Sequence, residues 1–520
     1  MLIDSKTKPK KHGWAEEKLS QIPVMVSEIS RKITDYRQSY QELVKDAAHF
    51  FEDYQNDHRT LSVLKRKVKT YQDQIEVIEN YRKEKGKYPS IKGQPSTQRY
   101  IARLVAQQAS SDNELRALEE KIRRERNRRY EHVDNLTDYM LNLLNGERIF
   151  SQFLGTIALS TPSPQEKVRH VRNERCKPIY VTALVIALFD ELRKTRHFDD
   201  PFLSNEIARI FPDGETFSLM ADKVSSSANS ARDVKSMPAD MKMAYRENVL
   251  KPIAKAALLQ SIGMNSPEAN ALLGDDRYRK LDNDERIKLL SIIERKTNDY
   301  LRLGIGIPSM PFNNKEQKAA FEEHEKRQLA FMLKLLRMLN TPRSELGDLL
   351  RIPMTYASFV LSTKEEFDYQ QIYQAYDVLS DGASANRYRN DYVNAFCKMV
   401  GRFPLGAGLY VIQKDSGEIE KAIVSSLFPE NVDEPICKII TRRQIQFLSH
   451  AEVVISKASN LFFAESRRES HFDREFLEAR YRKEYTWNAT DVWETQVPSI
   501  EFWKRDEIRR YNGAYNPDSY

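Results

Sequence analysis

Apolar residues recur every three or four positions over residues 14–84, and polar residues fill the positions between them. This spacing is typical of helices with one buried side. Glycines and prolines break the pattern over Lys85–Pro95, and Ser96 is suited to cap a further helix that extends to Leu144. The pattern therefore predicts long antiparallel helices, or a short coiled coil, at the N-terminal end.

A second apolar pattern, within Val249–Gly274, predicts the central helix of a core. Gly263 is expected to end this helix in a left-handed turn. Ser266 and Pro267 then fit the N-cap and the first turn of the next helix. The apolar residues that share one side of the central helix are Leu250, Ile253, Ala257, Leu258 and Ile262.

The pattern changes from helical to alternating after Gly401. Two β-rich runs, Gly408–Gln413 and Ala422–Leu427, flank the turn sequence Asp415–Gly417, so a β-hairpin is predicted. Residues 435–441 fit a third strand. The chain then returns to a helical pattern over residues 443–480, and its aromatic end predicts irregular structure.

Together these patterns predict a mostly α fold. Residues 1–13 are expected to form a basic flexible tail, and residues 14–160 an arm of long, coiled-coil-like helices. A boundary is expected at Ser160–Gln165, where two prolines lie between apolar segments. Residues 166–441 are predicted to form an all-α bundle that ends in the small β-hairpin. Residues 442–520 are predicted to form a helical and aromatic C-terminal extension.

The composition agrees with long solvated helices, because 30% of the 520 residues are charged and only 40% are hydrophobic. The chain has 82 lysines and arginines against 75 aspartates and glutamates. The resulting net charge of +7 is too small to indicate nucleic-acid binding by itself.

The cysteines and the apolar runs indicate the cellular compartment of the protein. Cys176, Cys397 and Cys437 are dispersed and form no CxxC motif, which fits a reducing compartment and provides no zinc site. The first residues lack the apolar core of a signal peptide. The strongest apolar run, Tyr180–Phe189, is shorter than the roughly 20 residues that cross a bilayer. We expect a soluble, cytoplasmic protein with no membrane span.

Three stretches, taken in order, resemble the HD-GYP branch of the HD-type phosphohydrolases. AALLQSIG (Ala256–Gly263) resembles the central helix of that family, and LLRIPMTYASFVLS (Leu349–Ser362) resembles a later helix. NDYVNAFCKMVGRFPLGAGLYVI (Asn390–Ile412) resembles the end of the family's domain. The resemblance covers residues 166–441. It implies an HD-like helical bundle that would bind divalent metal ions and hydrolyse cyclic di-GMP in bacteria.

The same resemblance implies that the metal ligands have been replaced. Gln260 and Ser261 stand where the family has its His-Asp doublet, and Thr355 stands where an aspartate is expected. An amide and a hydroxyl are weak ligands for the ions that activate water. His324 is the one histidine near an expected ligand position, and a single histidine cannot hold a dinuclear centre. We therefore predict a vacated site with no metal, no cofactor and no catalytic residue.

An arginine cluster within Leu115–Arg129 offers a different kind of contact. Guanidinium groups bind phosphates, so a nucleic acid or a protein partner would fit it. We favour a solvated helix face instead, because glutamates interleave with the arginines at spacings that allow ion pairs. The cluster consists of Arg116, Arg123, Arg124, Arg126, Arg128 and Arg129.

The main hypothesis is a catalytically inactive, HD-GYP-like signalling or scaffolding protein of bacteria. It would bind protein partners, or a second copy of itself, through the N-terminal helices. Whether the protein also binds a nucleotide is left open. The alternatives are an active cyclic dinucleotide phosphodiesterase with unusual metal ligands, a purely structural helical protein, and an RNA- or DNA-binding protein that uses the arginine cluster. The metal content of the purified protein separates the enzyme from the others.

Overall fold

The computed structural model describes residues 28–143, 147–159, 169–212, 217, 237–274, 276–365, 369–412, 419–440 and 452–470. Within these ranges the chain forms 14 α-helices and one antiparallel sheet of 4 strands. The predicted mostly α fold, with β structure towards the C-terminal end, is confirmed. The predicted basic tail, residues 1–13, lies outside the described residues.

The helices follow the predicted order. The first five are α1 (Glu28–Lys85), α2 (Thr97–Leu143), α3 (Glu147–Leu159), α4 (Arg169–Thr195) and α5 (Pro201–Ile210). The next six are α6 (Ala239–Tyr245), α7 (Lys251–Leu259), α8 (Pro267–Leu273), α9 (Asn283–Asp299), α10 (Lys315–Arg337) and α11 (Glu345–Val360). Two more, α12 (Ala375–Ser384) and α13 (Asn390–Val400), precede the sheet, and α14 (Ala464–Glu469) follows it.

Helices α1 and α2 pair along their length as an antiparallel arm. Helix α1 is continuous over 58 residues, which corresponds to about 87 Å. The connection between the helices contains Gly86 and Gly93 with φ angles of 68° and 82°, a left-handed conformation that favours glycine. The Ser96 hydroxyl accepts a hydrogen bond from the Arg99 amide at 3.4 Å, as its predicted capping role requires.

The base of the arm belongs to the main hydrophobic core. Side chains such as Tyr36, Leu43 and Met140 lie in the same buried cluster as Leu184 and Leu258. A separate small cluster lies further out, and all of its members belong to residues 71–104 of the arm itself. The predicted boundary at Ser160–Gln165 lies outside the described residues. Side chains from both sides of that boundary enter one core.

Helix α7 is enclosed on all sides. Each of its nine residues, Lys251–Leu259, is buried. The helix packs against α4, α10 and α2, so it is the central helix that the sequence predicts. Its two lysines are the exception in an otherwise apolar helix, and they need partners.

The role predicted for Gly263 is wrong, because its φ is not positive. Helix α7 ends at Leu259, and a 3-10 turn, Ile262–Asn265, follows. A Cβ atom at residue 263 would lie 2.4 Å from the carbonyl oxygen of Ile293 in α9. Glycine is needed here for close helix packing rather than for a left-handed turn. The predicted cap that follows is confirmed, since the Ser266 side chain accepts a hydrogen bond from the Ala269 amide.

The sheet has the order β1-β2-β3-β4, with β1 at Gly408–Ile412, β2 at Ile419–Ser426, β3 at Ile436–Ile440 and β4 at Val453–Val454. Leu409 pairs with Ala422 and Ala422 with Ile439, so the predicted hairpin and third strand are present. The predicted turn at Asp415–Gly417 lies outside the described residues. The sheet packs on α3, where the Leu427 amide donates a hydrogen bond to the Ser151 hydroxyl at 3.1 Å.

The C-terminal extension is described only over residues 452–470. This part contains β4, a 3-10 turn and the short helix α14, so residues 453 and 454 are strand where a helical pattern was predicted. The reason is non-local, because Val453 and Val454 pair with the edge of β3. Among the described helices, none combines the length and apolar character needed to cross a bilayer.

The enclosure of α7 makes a quantitative prediction. Leu258 is 1% exposed, and Leu258→Ala should lower the free energy of unfolding by about 2–5 kcal/mol through lost burial and a cavity. Leu290→Ala, at a site on α9 that is 49% exposed, is the control and should change it by less than about 0.5 kcal/mol. Urea denaturation measures both, and equal losses would contradict the central position of α7.

Candidate functional site at the base of the arm

The two residues at the predicted doublet lie at the end of α7. Gln260 is 9% exposed, and its Oε1 atom has no hydrogen-bond partner among the described residues. Ser261 is half-buried and precedes the 3-10 turn. Two residues after Ser261, the Gly263 amide donates a hydrogen bond to the Thr297 hydroxyl at 3.1 Å, which holds the 3-10 turn against α9.

The other two predicted positions have local partners. The Thr355 hydroxyl lies 3.1 Å from the Tyr388 hydroxyl. His324 Nε2 lies 2.8 Å from the Gln328 side-chain nitrogen on the next turn of α10. His324 lines a cleft, and Gln260, Ser261 and Thr355 are not among the residues that line it. In the described part of the chain, no three His, Cys, Asp or Glu side chains are grouped so that they could hold a metal ion.

The cleft beside His324 has a volume of about 600 Å³ and borders the central helix. Helices α2, α7 and α10 form its walls, together with a π-helical turn before α7 and the loop that precedes α10. The residues that line it are Tyr130, Glu131, Asp134, Asn135, Glu247, Lys251, Lys255, Pro308, Met310, Phe321, His324, Glu325 and Gln328.

Two lysines of α7 form ion pairs with the arm on one side of this cleft. Lys255 Nζ lies 2.7 Å from one carboxylate oxygen of Asp134, and Lys251 Nζ lies 3.2 Å from the other. Lys251 also lies 3.0 Å from Asp138 and 2.8 Å from Glu247. The side chains of Lys251 and Lys255 are 9% and 3% exposed, whereas that of Asp134 is 26% exposed, so the ammonium groups are buried and the carboxylate keeps contact with the water of the cleft.

Pro252 explains why the chain before α7 is π-helical. Proline has no amide hydrogen and clashes with the preceding helical turn, so an undistorted α-helix cannot continue through it. The π-helical turn spans Arg246–Leu250, and the Lys251 amide donates to the Arg246 carbonyl, five residues earlier. The Glu247 carbonyl instead accepts a hydrogen bond from the Gln328 side chain at 3.2 Å. The π-helical turn is thereby hydrogen-bonded to α10 across the cleft.

The pKa shifts of three cleft groups favour a charged Asp134, a charged Lys251 and a neutral Tyr130. Burial alone would raise the pKa of Asp134, but Lys255 and Lys251 outweigh it, and the net shift is downward. Burial opposes the charge of Lys251, yet Glu247 and the aspartates hold its pKa above the ordinary value. Burial and the Glu325 carboxylate raise the pKa of Tyr130. These three groups form a fixed ionic array rather than an acid–base couple.

The arginine cluster is mostly neutralised by carboxylates. Arg129 is 8% exposed at its side chain and lies 3.0 Å from Asp46 of α1. Its guanidinium also donates to the Gly304 carbonyl at 3.3 Å, so it joins both arm helices to the body. The other pairs within 4 Å among the described residues are Arg129 with Glu125, Arg116 with Asp112, Arg123 and Arg124 with Glu120, and Arg128 with Asp46.

The cysteines do not provide reactive thiols. Cys176, Cys397 and Cys437 are all buried and unbridged. Burial raises the pKa of Cys397 to about 12 and that of Cys437 well above its ordinary value. A thiol held in its neutral form is a poor nucleophile and a poor metal ligand.

Comparison with known proteins identifies no family for this chain. No protein-family model matches the chain, and no similar curated protein or solved structure was found. The likeness to HD-GYP domains therefore rests on the three sequence stretches alone.

Sequence reasoning missed the ionic array between α2 and α7. The signal was present in VLKPIAKAALL, where Lys251 and Lys255 stand four residues apart within an apolar helix. Buried lysines require carboxylates. The sequence alone does not show which acidic residues these are, because Asp134 lies 117 residues before Lys251.

The array predicts a specific loss of stability. Asp134→Asn should lower the free energy of unfolding at pH 7 by about 2–3 kcal/mol, because Lys255 then keeps no carboxylate partner. Since the folded-state pKa of Asp134 is lowered, its contribution is complete above its unfolded value and is lost as the pH falls through the folded value.

Denaturation at several pH values tests this prediction. The difference between the wild type and Asp134→Asn should be full at pH 7 and shrink below about pH 4. The exposed neighbour Glu131→Gln is the control and should change stability by less than about 0.5 kcal/mol. A difference that does not depend on pH would show that the carboxylate charge is not responsible.

Because the amide oxygen of Gln260 has no partner among the described residues, replacing this side chain should stabilise the protein rather than destabilise it. Gln260→Met removes a buried acceptor without a partner and should raise the free energy of unfolding by about 1 kcal/mol. Gln328→Met is the matched control, because this amide is 5% exposed but bonded to Glu247, and should lower it by about 1–2 kcal/mol. A clear loss in Gln260→Met would indicate that the amide oxygen is satisfied in the folded protein.

Proposed function

We propose that the chain is a non-catalytic scaffolding protein that binds an acidic surface of a protein partner through the distal arm, residues 57–118. The observation that carries the proposal is the distribution of charge. The distal arm has thirteen lysines and arginines against seven aspartates and glutamates, an excess of six positive charges. The net charge of the whole chain is +7, so the excess within the distal arm nearly equals that of the entire chain. A basic surface of this kind attracts acidic partners.

The exposed side chains of the arm suit a protein contact. Val63, Val77 and Tyr81 are 46%, 69% and 38% exposed, and their spacing places them within about 40° of one another on α1. Arg66 and Lys67 are exposed beside Val63. Apolar and aromatic side chains flanked by charges are typical of protein interfaces.

Contacts at the base of the arm hold the distal arm surface in a fixed orientation. The ion pairs of Asp134 and Asp138 with α7, and those of Arg129 with Asp46, hold α2 and α1 against the body. A surface that is already ordered loses less conformational entropy when it binds. Association of two arms is a less favourable use, because each carries the same excess of positive charge.

The proposal includes the HD-GYP likeness. In this view residues 166–441 are a degenerate HD-GYP-like domain of a bacterial cytoplasmic signalling protein. The enclosed central helix supports it, and so do the local partners of Thr355 and His324 and the absence of a carboxylate or imidazole at Gln260 and Ser261. Asp134 and Lys251 are paired as ions in the cleft, which supports a structural and binding role for these groups.

The second candidate is a nucleic-acid contact on the same basic arm. Exposed arginines on α2, such as Arg123 and Arg124, favour it, because guanidinium groups bind phosphates. The carboxylates that pair with them oppose it, since each pair must be broken or shared for a phosphate to bind. We therefore place the acidic protein surface first.

A charge reversal tests the proposed function. Arg66→Glu combined with Lys67→Glu should weaken binding of fluorescein-labelled polyglutamate by at least about tenfold, because two attractive charges become repulsive. Lys326→Glu combined with Arg327→Glu is the matched control, an adjacent exposed basic pair on α10, and should leave binding unchanged. Fluorescence anisotropy measures the dissociation constant at fixed salt.

Duplex DNA of matched charge is measured in parallel. Tighter binding of DNA than of polyglutamate at physiological salt would contradict the first candidate in favour of the second. Failure of the wild type to bind polyglutamate at low salt would contradict an acidic partner. Equal weakening by both double variants would show that the distal arm is not the binding surface.

A further inference from the structure

Arg126 differs from the rest of the arginine cluster. The other five arginines each lie within 4 Å of a carboxylate. Among the described residues, no carboxylate forms such a pair with Arg126, and its Nε atom is buried without a hydrogen-bond partner. A partly buried cation without a counter-charge is unfavourable, so this position needs an explanation.

Arg126 lines a pocket at the root of the arm. The pocket has a volume of about 240 Å³ and lies between α1, α2 and the loop that precedes α10. Asn127 holds that loop in place, since its side chain donates to the Ser309 carbonyl at 2.8 Å and accepts from the Ser309 amide at 2.9 Å. The residues that line the pocket are Leu61, Glu119, Ile122, Arg123, Arg126, Asn127, Ile307 and Ser309.

The loop passes close over the Arg126 side chain. Gly306 has a φ angle of 50°, and a Cβ atom there would lie 3.3 Å from the Arg126 side chain and 2.9 Å from the Arg302 carbonyl oxygen. Glycine therefore allows the loop to cover the arginine stem. Burial and the nearby charge of Arg129 lower the pKa of Arg126.

The other charged groups of the pocket are already engaged. Glu119 lies 3.0 Å from Lys65, and Arg123 pairs with Glu120. The lining therefore has one cation in excess. Ser309 also lines the pocket, and its hydroxyl is a hydrogen-bond donor of the kind that contacts phosphate oxygens.

We propose that this pocket binds the phosphate group of a small molecule through the Arg126 guanidinium. A planar guanidinium donates two parallel hydrogen bonds to an oxyanion. A phosphate has enough oxygens to accept from Ser309 or Arg123 at the same time, whereas a carboxylate has only two. The pocket volume accommodates the phosphate and part of the molecule that carries it. The pocket adjoins the distal arm at Leu61 but is not lined by Val63, Arg66 or Lys67, so it does not depend on the proposed function.

Inorganic phosphate is the probe, and thermal unfolding of the full chain is the first measurement. At constant ionic strength, the unfolding temperature of the wild type should rise and saturate with phosphate, by about 2–4 °C at a hundredfold excess over the dissociation constant. In Arg126→Met the saturable rise should disappear. Without phosphate this variant should unfold at the same temperature as the wild type or higher, because an uncompensated cation has been removed.

Arg124→Met is the matched control, an arginine on the same helix whose side chain is 74% exposed, and it should keep the saturable rise. Comparison with this control also accounts for the general stabilisation by phosphate salts, which affects both variants alike and does not saturate. Sodium acetate is titrated in parallel. Tighter binding of acetate than of phosphate, or a saturable rise that persists in Arg126→Met, would overturn the proposal.

Phosphorus NMR provides a readout that does not depend on stability. The phosphate line should broaden in the presence of the wild type and of Arg124→Met, and it should stay sharp with Arg126→Met. An unbroadened line with the wild type, together with no saturable rise in unfolding temperature, would show that the pocket does not bind phosphate.

Discussion

Two buried lysines on the central helix constrain how the arm meets the body. Lys251 and Lys255 lie within an enclosed helix, where an unpaired ammonium group would cost several kcal/mol. Asp134 and Asp138 of α2 supply counter-charges, together with Glu247 of the preceding π-helical turn. The two aspartates reach the lysines because α2 lies alongside α7. Burial of the lysines is therefore coupled to docking of the arm on the core.

The same region shows how one residue sets the structure around it. Pro252 lies one position after Lys251, inside a segment that is otherwise helical from Ala239 to Leu259. Because proline cannot donate, the helix widens into a π-helical turn, and the freed Glu247 carbonyl is bonded by Gln328. A second π-helical turn, Tyr300–Ile305, presents the Gly304 carbonyl to Arg129. Both distortions therefore place backbone acceptors where the arm and α10 can use them.

The sequence predicted the elements well where the determinants are local. Helical periodicity, the Ser266 cap and the alternating strands all depend on residues a few positions apart, and all are present. It failed where the determinants are distant. The reason for Gly263 is the backbone of α9, and the short strand β4 exists because β3 has a free edge. The aspartate partners of Lys251 lie more than a hundred residues away from it. The candidate site depends on such distant contacts, so its array and its π-helical turns could not be predicted.

The modest net charge of the chain conceals a segregation that bears on function. Near the root of the arm, carboxylates of the chain itself neutralise most of the basic side chains, as Asp46 does for Arg128 and Arg129, and Arg126 is an exception. Beyond the root, the positive charges outnumber the negative ones by six, whereas the rest of the chain is close to neutral. Charge that holds the fold together is paired, and charge left unbalanced is available to a partner. On this argument the distal arm interacts with other molecules, while the ion pairs at its base keep it attached to the core.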